Sequence, residues 1–378
     1  MNSAHAAREF AIPDHRVVLR FGPQQFTVND IIDAAWFAGE LAVAWRSLLA
    51  ANHCEQLAAE RELEAEDEIL QSLSEEFRYE HDLLTSEETE KWLADRGLSE
   101  DDFLNFFLRR YWRTRIESID GRAVISANPA GLQEVAGYSD ADQALKNALA
   151  AELWLSGDFD RLAREFAWRV VSLAQLPEAT QDESAIQAAR NRFFERHGIS
   201  EDFLLRILSQ LGRNFEWFET MLAREAAYRH FLERLLTPEN RGRELRLRNL
   251  GLTRVEMETL LFRTADAARE ALLCLGEGET SMEELEHECG STRIQRCVFI
   301  EDCADNMQPG LWSAGPGDCL MLQPGKDSFV VCRVTKKIPP LVDDVEIQHR
   351  IDGKLVASGF MDLAGKEIQW ITAGKAWS

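Results

Sequence analysis

The sequence contains no uninterrupted run of eighteen apolar residues, so it predicts no membrane-spanning helix. Residues 1–15 lack the apolar core of a secretory signal and include acidic side chains, so we expect the protein in the cytoplasm. No GxxxxGKS/T or GxGxxG loop is present, so no phosphate site of these two kinds is predicted. Basic residues number 42 against 65 acidic ones, and the formal net charge of −23 disfavours nucleic acid and anionic membranes as partners.

The seven cysteines include no CxxC pair, which is the spacing that marks many zinc sites. The nearest approach to a metal-ligand cluster is the group His287, Cys289, Cys297 and Cys303. Cys297 also stands in an apolar strand pattern, as does Cys332, and there a free thiol packs as a small hydrophobic group. No pattern brings a histidine next to a nucleophile. We therefore predict no metal, no cofactor and no catalytic residue.

The stretch Trp92–Trp112 predicts two helices that meet at a sharp corner. Thr85 precedes the first helix with Glu88 three residues later, which is the pattern of a capping box. Gly97 follows that helix, where a left-handed backbone is common. Ser99 and the three acids after it suit the start of a second helix, because the helix dipole is positive at that end.

The same corner recurs along the chain. Gly198-Ile199-Ser200 repeats the Gly-Leu-Ser pattern before another apolar helix, and Gly251-Leu252-Thr253 repeats it again, with Glu256 completing a capping box. After Gly276, short strand-like segments separated by glycine and proline replace the helical pattern. The predicted fold is therefore mainly α, with helical hairpin repeats followed by a small C-terminal α+β module.

Aromatic residues are abundant, with ten tryptophans and twenty phenylalanines, and several stand in adjacent pairs on predicted helices. A helix cannot direct two adjacent aromatics onto one narrow stripe. One interpretation is that these helices are buried on two sides. The other is that some aromatics line a groove that binds an apolar peptide or a partner helix. The candidate partner-binding residues are Trp36, Phe37, Phe106, Phe107, Tyr111 and Trp112.

Five stretches carry a family resemblance. Near the start, a strand precedes GPQQFTVNDI and a glutamate-rich helix precedes LTSEETEKWLADRGLSEDDFLNFF. Near the end follow SMEELEHECG, MQPGLWSAGPGDCLMLQPGKDSFVVCRVTKKIPP and VDDVEIQHRIDGKLVASGF. The first two resemble the N-terminal part of SurA-type and PrsA-type foldases. The last three resemble part of a parvulin domain and the helix after it.

The resemblance departs from the family at two strands. Parvulins carry a histidine in the first strand and another in the last strand, both facing a proline pocket. Here the last strand reads Phe329-Val330-Val331-Cys332, with valine where the histidine would fall, and no histidine-bearing strand precedes Ser281. The resemblance therefore implies a truncated, non-catalytic parvulin-like module.

A length of 378 residues predicts two or three domains. With the resemblance, the expected organisation is a SurA-like helical domain (1–120), a connector (121–142), a second helical domain with repeated hairpins (143–276) and a parvulin-like domain with a closing helix (277–378).

The expected function is non-enzymatic polypeptide binding, as a chaperone-like or peptide-maturation accessory protein with protein or peptide clients. The groove would lie between the first hairpin and the C-terminal domain. Two alternatives remain open. One is a regulatory protein that sequesters a single folded partner, such as a transcription regulator or an enzyme. The other is a residual peptidyl-prolyl isomerase, which is the activity that the parvulin resemblance implies.

Overall fold

The computed structural model describes residues 16–120, 137–139, 141–176, 182–325 and 328–371. The protein is mainly α-helical with two small antiparallel sheets, which confirms the predicted fold class. Two compact units are present: unit 1 comprises Met1–Phe231 and Phe360–Ser378, and unit 2 comprises Leu232–Gly359. Among the described residues, no helix combines the length and the apolar composition needed to cross a bilayer.

The helices are α1 (Val28–Ala38), α2 (Ala42–Glu60), α3 (Asp67–Glu80), α4 (Ser86–Arg96), α5 (Glu100–Asp120), α6 (Gln143–Ser156), α7 (Asp158–Gln175), α8 (Glu183–His197), α9 (Glu201–Gln210), α10 (Phe215–Leu235), α11 (Pro238–Leu247), α12 (Ala265–Glu277), α13 (Met282–Cys289), α14 (Gln308–Ser313) and α15 (Val345–Glu367). The strands are β1 (Val17–Phe21), β2 (Gln24–Thr27), β3 (Arg254–Phe262), β4 (Ile294–Phe299), β5 (Cys319–Gly325), β6 (Ser328–Ile338) and β7 (Ile368–Trp370).

Unit 1 is a helical assembly with a three-stranded sheet in the order β2-β1-β7. β7 comes from the end of the chain and pairs antiparallel with β1, so that Leu19 lies opposite Trp370. Gly39 ends α1 with a φ of 74°, and α2 begins separately. A left-handed residue cannot continue a right-handed helix, which explains the break.

The corner between α4 and α5 forms as the sequence predicts. The Thr85 hydroxyl accepts the Glu88 N–H at 3.2 Å, and the Glu88 carboxylate accepts the Thr85 N–H at 2.9 Å. Gly97 ends α4 with a φ of 59°. The Ser99 hydroxyl then accepts the Asp102 N–H at 3.1 Å. These bonds satisfy the N–H groups that a helix start leaves unpaired.

The corner recurs once among the described residues, not twice. Gly198 ends α8 with a φ of 61°, and α9 begins at Glu201. The third corner, at Gly251, was wrongly predicted, because the residues after it form strand β3. The Thr253 hydroxyl donates to the Asn249 carbonyl at 2.9 Å instead of capping a helix. Pairing with two neighbouring strands outweighs the local helix signal of this segment.

Unit 2 is built around a four-stranded antiparallel sheet in the order β4-β3-β6-β5. β3 is an inner strand that precedes Ser281, and it carries no histidine. The same sheet joins β3 to the strands after residue 276, which was the expected domain boundary, so unit 2 extends to both sides of it. β3 contributes Val255 and Met257 to one apolar cluster and Leu260 to another on the opposite face. The predicted connector, 121–142, lies largely outside the described residues.

Gly198→Val is expected to lower the free energy of unfolding by about 1–3 kcal/mol, because a β-branched residue is strained at a positive φ. Gly97→Val should destabilise at least as much, since its new Cβ would also lie 1.4 Å from an Arg16 nitrogen. Gly276→Val is the matched control. Gly276 lies in α12 and no atom lies within 4 Å of the position of a Cβ there. Thermal melts that placed Gly198→Val level with the wild type would refute the corner assignment.

Candidate functional site

The residues predicted to line a groove lie in the core of unit 1. Their side chains are between 1% and 6% exposed, so none of them is presented to a partner in this structure. They belong to two separate apolar clusters, of which the first contains four and the second contains two. The four are Trp36, Phe37, Phe106 and Phe107, and the two are Tyr111 and Trp112.

Trp36 and Phe37 pack against α8. Their ring centroids lie 5.8 and 4.9 Å from that of Phe193. The His197 ring stacks on Trp36, and its Nε2 atom lies 3.1 Å from the Phe37 carbonyl oxygen. Burial lowers the pKa of His197 to about 4, so this imidazole is neutral at neutral pH and acts as a packing and hydrogen-bonding group.

The aromatic side chains of α5 pack against two other helices, α3 and α2. Phe107 packs on Phe77 of α3 with ring centroids 5.8 Å apart. Tyr111 and Trp112 pack with Cys54 of α2, and the Tyr111 hydroxyl accepts the Glu66 N–H at 3.3 Å. Adjacent aromatics are thus accommodated because α5 contacts other helices on more than one side. The structure does not bring the six residues together around one open groove.

Unit 2 contains a cavity of about 570 Å³ on one face of its sheet. This volume is within the range of small-molecule and side-chain binding pockets. Strands β3, β4 and β6 form the floor, and the segment from Asp302 to Met307 forms a wall. The apolar side chains of its lining include Met257, Leu261, Val298, Met307, Leu322 and Val330.

The wall of the cavity is anchored by polar contacts. Both Asp302 carboxylate oxygens accept hydrogen bonds from Arg350 of α15 at 2.7 Å. Arg350 also donates to Glu301 at 3.1 Å. The Gln308 amide donates to the Cys303 carbonyl at 2.9 Å. Since a bidentate arginine–carboxylate pair fixes orientation as well as distance, the cavity is held open by a defined wall rather than by a free loop.

The polar groups that line the cavity include a thiol whose neutral form is favoured, a paired carboxylate and a hydrogen-bonded hydroxyl. Burial, and then the charge of Asp302, raises the pKa of the Cys303 thiol above its usual value, so the nucleophilic thiolate is disfavoured. Asp302 is itself paired with Arg350. The Thr259 hydroxyl donates to the Ile294 carbonyl at 3.0 Å. Of the two valines in the strand segment where the resemblance expects a histidine, Val330 lines the cavity.

Of the two cysteines predicted to pack in strands, one is buried and the other is exposed. Cys332 is buried, as its strand pattern predicts, but Cys297 is exposed because β4 is an end strand of the sheet. The six cysteines whose side chains are described are all free thiols. Among the described residues, no group of three His, Cys, Asp or Glu side chains is close enough to hold a metal ion.

Sequence reasoning missed the cavity because it placed β3, one of the three strands of the floor, in a helix. A signal was present: Val255 and Met257 alternate with charged residues over β3, which is the period of a strand with one buried face. The wall offered a weaker signal, because Met307 and Cys303 stand in a loop whose sequence predicts no regular structure.

No protein-family model and no curated protein matches the chain. Solved structures of foldases and SurA-like chaperones do match it. The foldase protein PrsA from Streptococcus pneumoniae is 14% identical, with 55% of this chain and 82% of that chain covered and a TM-score of 0.25. The peptidylprolyl isomerase PrsA from Bacillus anthracis is 13% identical, with 57% and 91% covered and a TM-score of 0.28.

A third match is to the Campylobacter jejuni proteins PEB4 and Cj1289, which are described as two structurally related SurA-like chaperones. The identity is 11%, the coverage is 58% of this chain and 89% of that chain, and the TM-score is 0.21. The chain is thus similar to PrsA and SurA-like foldases at low identity and low TM-score.

Proposed function

We propose that the protein binds polypeptide segments, as a chaperone-like or peptide-maturation accessory protein, and that the cavity of unit 2 is its binding site. The observation that carries the proposal is a cavity of about 570 Å³ with a mainly apolar lining on one face of the sheet. Burial of apolar client side chains there would contribute about 25 cal/mol per Å².

The composition of the cavity favours clients of varied sequence. Met257 and Met307 both line it. Methionine is unbranched and polarizable, so it adapts to side chains of different shape, and it is frequent on surfaces that bind many partners. A single folded partner would favour a more rigid lining. This contrast supports the chaperone-like function over the sequestration of one regulator or enzyme.

The same cavity offers little support for isomerase chemistry. The resemblance implies two histidines that face a proline, and the last strand carries valines where one of them would stand. Cys303 is held neutral by its raised pKa, and Asp302 is paired with Arg350. We therefore propose that the site binds client polypeptides without isomerising a peptidyl-prolyl bond. We keep the cytoplasm as the proposed location, where thiols stay reduced.

The test compares two tryptophan variants at adjacent positions. Ala304 lines the cavity and is exposed, so Ala304→Trp should fill the cavity without disturbing the core. Asp305 is exposed and does not line the cavity, so Asp305→Trp is the control. Binding of several unrelated unfolded polypeptides is measured by fluorescence anisotropy and by suppression of their aggregation.

We expect Ala304→Trp to lose binding and Asp305→Trp to keep it. Equal binding by both variants would remove the cavity as the client site. Capture of one stoichiometric partner, with no effect on unrelated clients, would favour the regulatory protein. Turnover of a proline peptide that Ala304→Trp abolishes would favour the isomerase.

A further inference from the structure

Strand β4 forms one end of the sheet in unit 2, and no described strand lies beyond it. Its residues Ile294 to Cys297 are exposed, although β4 is fully paired to β3 on its inner side. The same strand contributes Ile294, Arg296 and Val298 to the lining of the cavity. The outer edge of β4 is thus continuous with the mouth of the cavity.

The hydrogen-bond alternation shows which backbone groups face outward. The Ile300 N–H donates to the Thr253 carbonyl at 3.1 Å, one residue beyond the paired residues Arg254 and Phe299. In an antiparallel ladder every second residue pair is hydrogen-bonded. Residues 294, 296 and 298 therefore bond to β3, and the N–H and C=O groups of Gln295 and Cys297 point away from the sheet.

The two edge strands of the sheet, β5 and β4, differ in how well they are protected from pairing with another chain. β5, at the other end, includes Pro324, which has no N–H, and packs against α12. β4 has no proline, its pairing with β3 has no bulge, and its only charged residue is Arg296. Since an edge without proline or a bulge readily pairs with another extended chain, β4 is a template for strand addition, and Arg296 is the one charge that a partner strand must accommodate.

The positive charge at this edge favours extended chains that carry an acidic side chain. Arg296 lies opposite Met257 in the register, so its side chain is on the cavity face. Among the described residues Arg296 forms no ion pair, whereas the acidic residue of the cavity, Asp302, is fully engaged by Arg350. The edge therefore presents one free positive charge between the apolar positions Ile294 and Val298.

We propose that β4 accepts an extended segment of the client polypeptide as an additional strand, with a client carboxylate side chain beside Arg296 and apolar client side chains two residues away on either side. This inference rests on the proposed polypeptide-binding function and specifies how the client lies in the site. Main-chain hydrogen bonds to Gln295 and Cys297 supply affinity, and alternate side chains supply selectivity. Directly opposite side chains on neighbouring strands lie about 5 Å apart, which is within reach of a carboxylate–guanidinium pair.

The first arm of the test uses labelled peptides and the unaltered protein. The probe is Val-Thr-Glu-Thr-Val with blocked ends, compared with the same peptide carrying lysine in place of glutamate. A third peptide carries N-methyl groups on both threonines, whose N–H groups would face Gln295 and Cys297. We expect binding of the glutamate peptide, about tenfold weaker binding of the lysine peptide, and about tenfold or greater loss on methylation.

The second arm changes β4 itself. Cys297→Pro removes an outward N–H that β3 does not use, so it should weaken the glutamate peptide by about tenfold. Cys297→Val keeps that N–H and is the matched control. Arg296→Glu should reverse the preference between the glutamate and lysine peptides. A thermal melt of each variant checks that unit 2 stays folded.

The outcomes separate the two proposals. Peptide binding that Ala304→Trp abolishes, but that methylation and Cys297→Pro leave unchanged, would overturn strand addition and keep the cavity as the binding site. An unchanged peptide preference in Arg296→Glu would overturn the role of Arg296. Binding that none of these changes affects would overturn both the strand and the cavity. If Cys297→Pro fails to fold, the methylated peptide decides.

Discussion

Phe106→Ala is expected to lower the free energy of unfolding by about 3–5 kcal/mol, the usual cost of truncating a buried phenylalanine. The Phe106 side chain is 1% exposed and belongs to the largest apolar cluster of unit 1. Its removal leaves a cavity that the surrounding helices fill only in part. Chemical denaturation of purified protein measures the loss directly.

Leu104→Ala is the matched control on the same helix. The Leu104 side chain is 60% exposed, so its truncation should change the free energy of unfolding by less than about 0.5 kcal/mol. Client binding is measured on the same samples under conditions where each variant is folded. A Phe106→Ala variant that melts like the wild type but loses its client would contradict the core assignment and restore the aromatic groove predicted from the sequence.

Elements whose signals are local were predictable from the sequence. The corner at Gly97 depends on residues within a few positions of one another, namely Thr85 with Glu88 and Ser99 with Asp102. Strand β3 depends instead on partners far along the chain, since Met257 lies opposite both Arg296 and Val334. Its own sequence fits a capped helix as well as a strand, so nothing local decides between them.

The candidate site was less predictable than the fold. Adjacent aromatics such as Phe106 and Phe107 indicate that a helix has apolar surface on two sides, but not whether a helix or a client covers it. The structure covers both sides with helices of the same unit. The cavity, in contrast, is assembled from three strands and a loop, and its wall depends on the long-range pair between Asp302 and Arg350. Such a pair has no signature in sequence spacing.

Arg169→Met is expected to destabilise unit 1 by up to about 3–5 kcal/mol at alkaline pH, because it leaves buried carboxylates without their cation. Arg169 forms an ion pair with Glu40 and another with Glu225 at 3.2 Å, and its guanidinium lies 5.0 Å from the centre of the Tyr228 ring. Glu225 keeps a second partner, Arg229, at 3.3 Å. Glu40 has no second cation among the described residues, so most of the loss should come from Glu40.

Arg161→Met is the control on the same helix. Arg161 pairs with Asp158 at 3.1 Å and Glu165 at 3.4 Å, but its side chain is 45% exposed. Exposed pairs contribute about 0–1 kcal/mol, because water screens them. A loss in Arg169→Met no larger than that in Arg161→Met would contradict a buried charge network in unit 1.

The pH dependence identifies Glu40 as the source of the loss. Burial raises the pKa of Glu40 to about 7, although Arg169 opposes the shift, whereas the unfolded chain has the usual value of 4.5. A carboxyl whose pKa is raised by folding stabilises the folded state below its unfolded pKa, and this contribution is lost as the pH rises through the folded pKa. Without Arg169 the pKa of Glu40 rises further, so the part of the deficit that comes from Glu40 should be small below about pH 6 and should grow as the pH rises above about 7. Adding Glu40→Gln removes the unpaired charge and should recover much of the stability at alkaline pH, whereas a deficit that is constant with pH would assign the loss to packing instead.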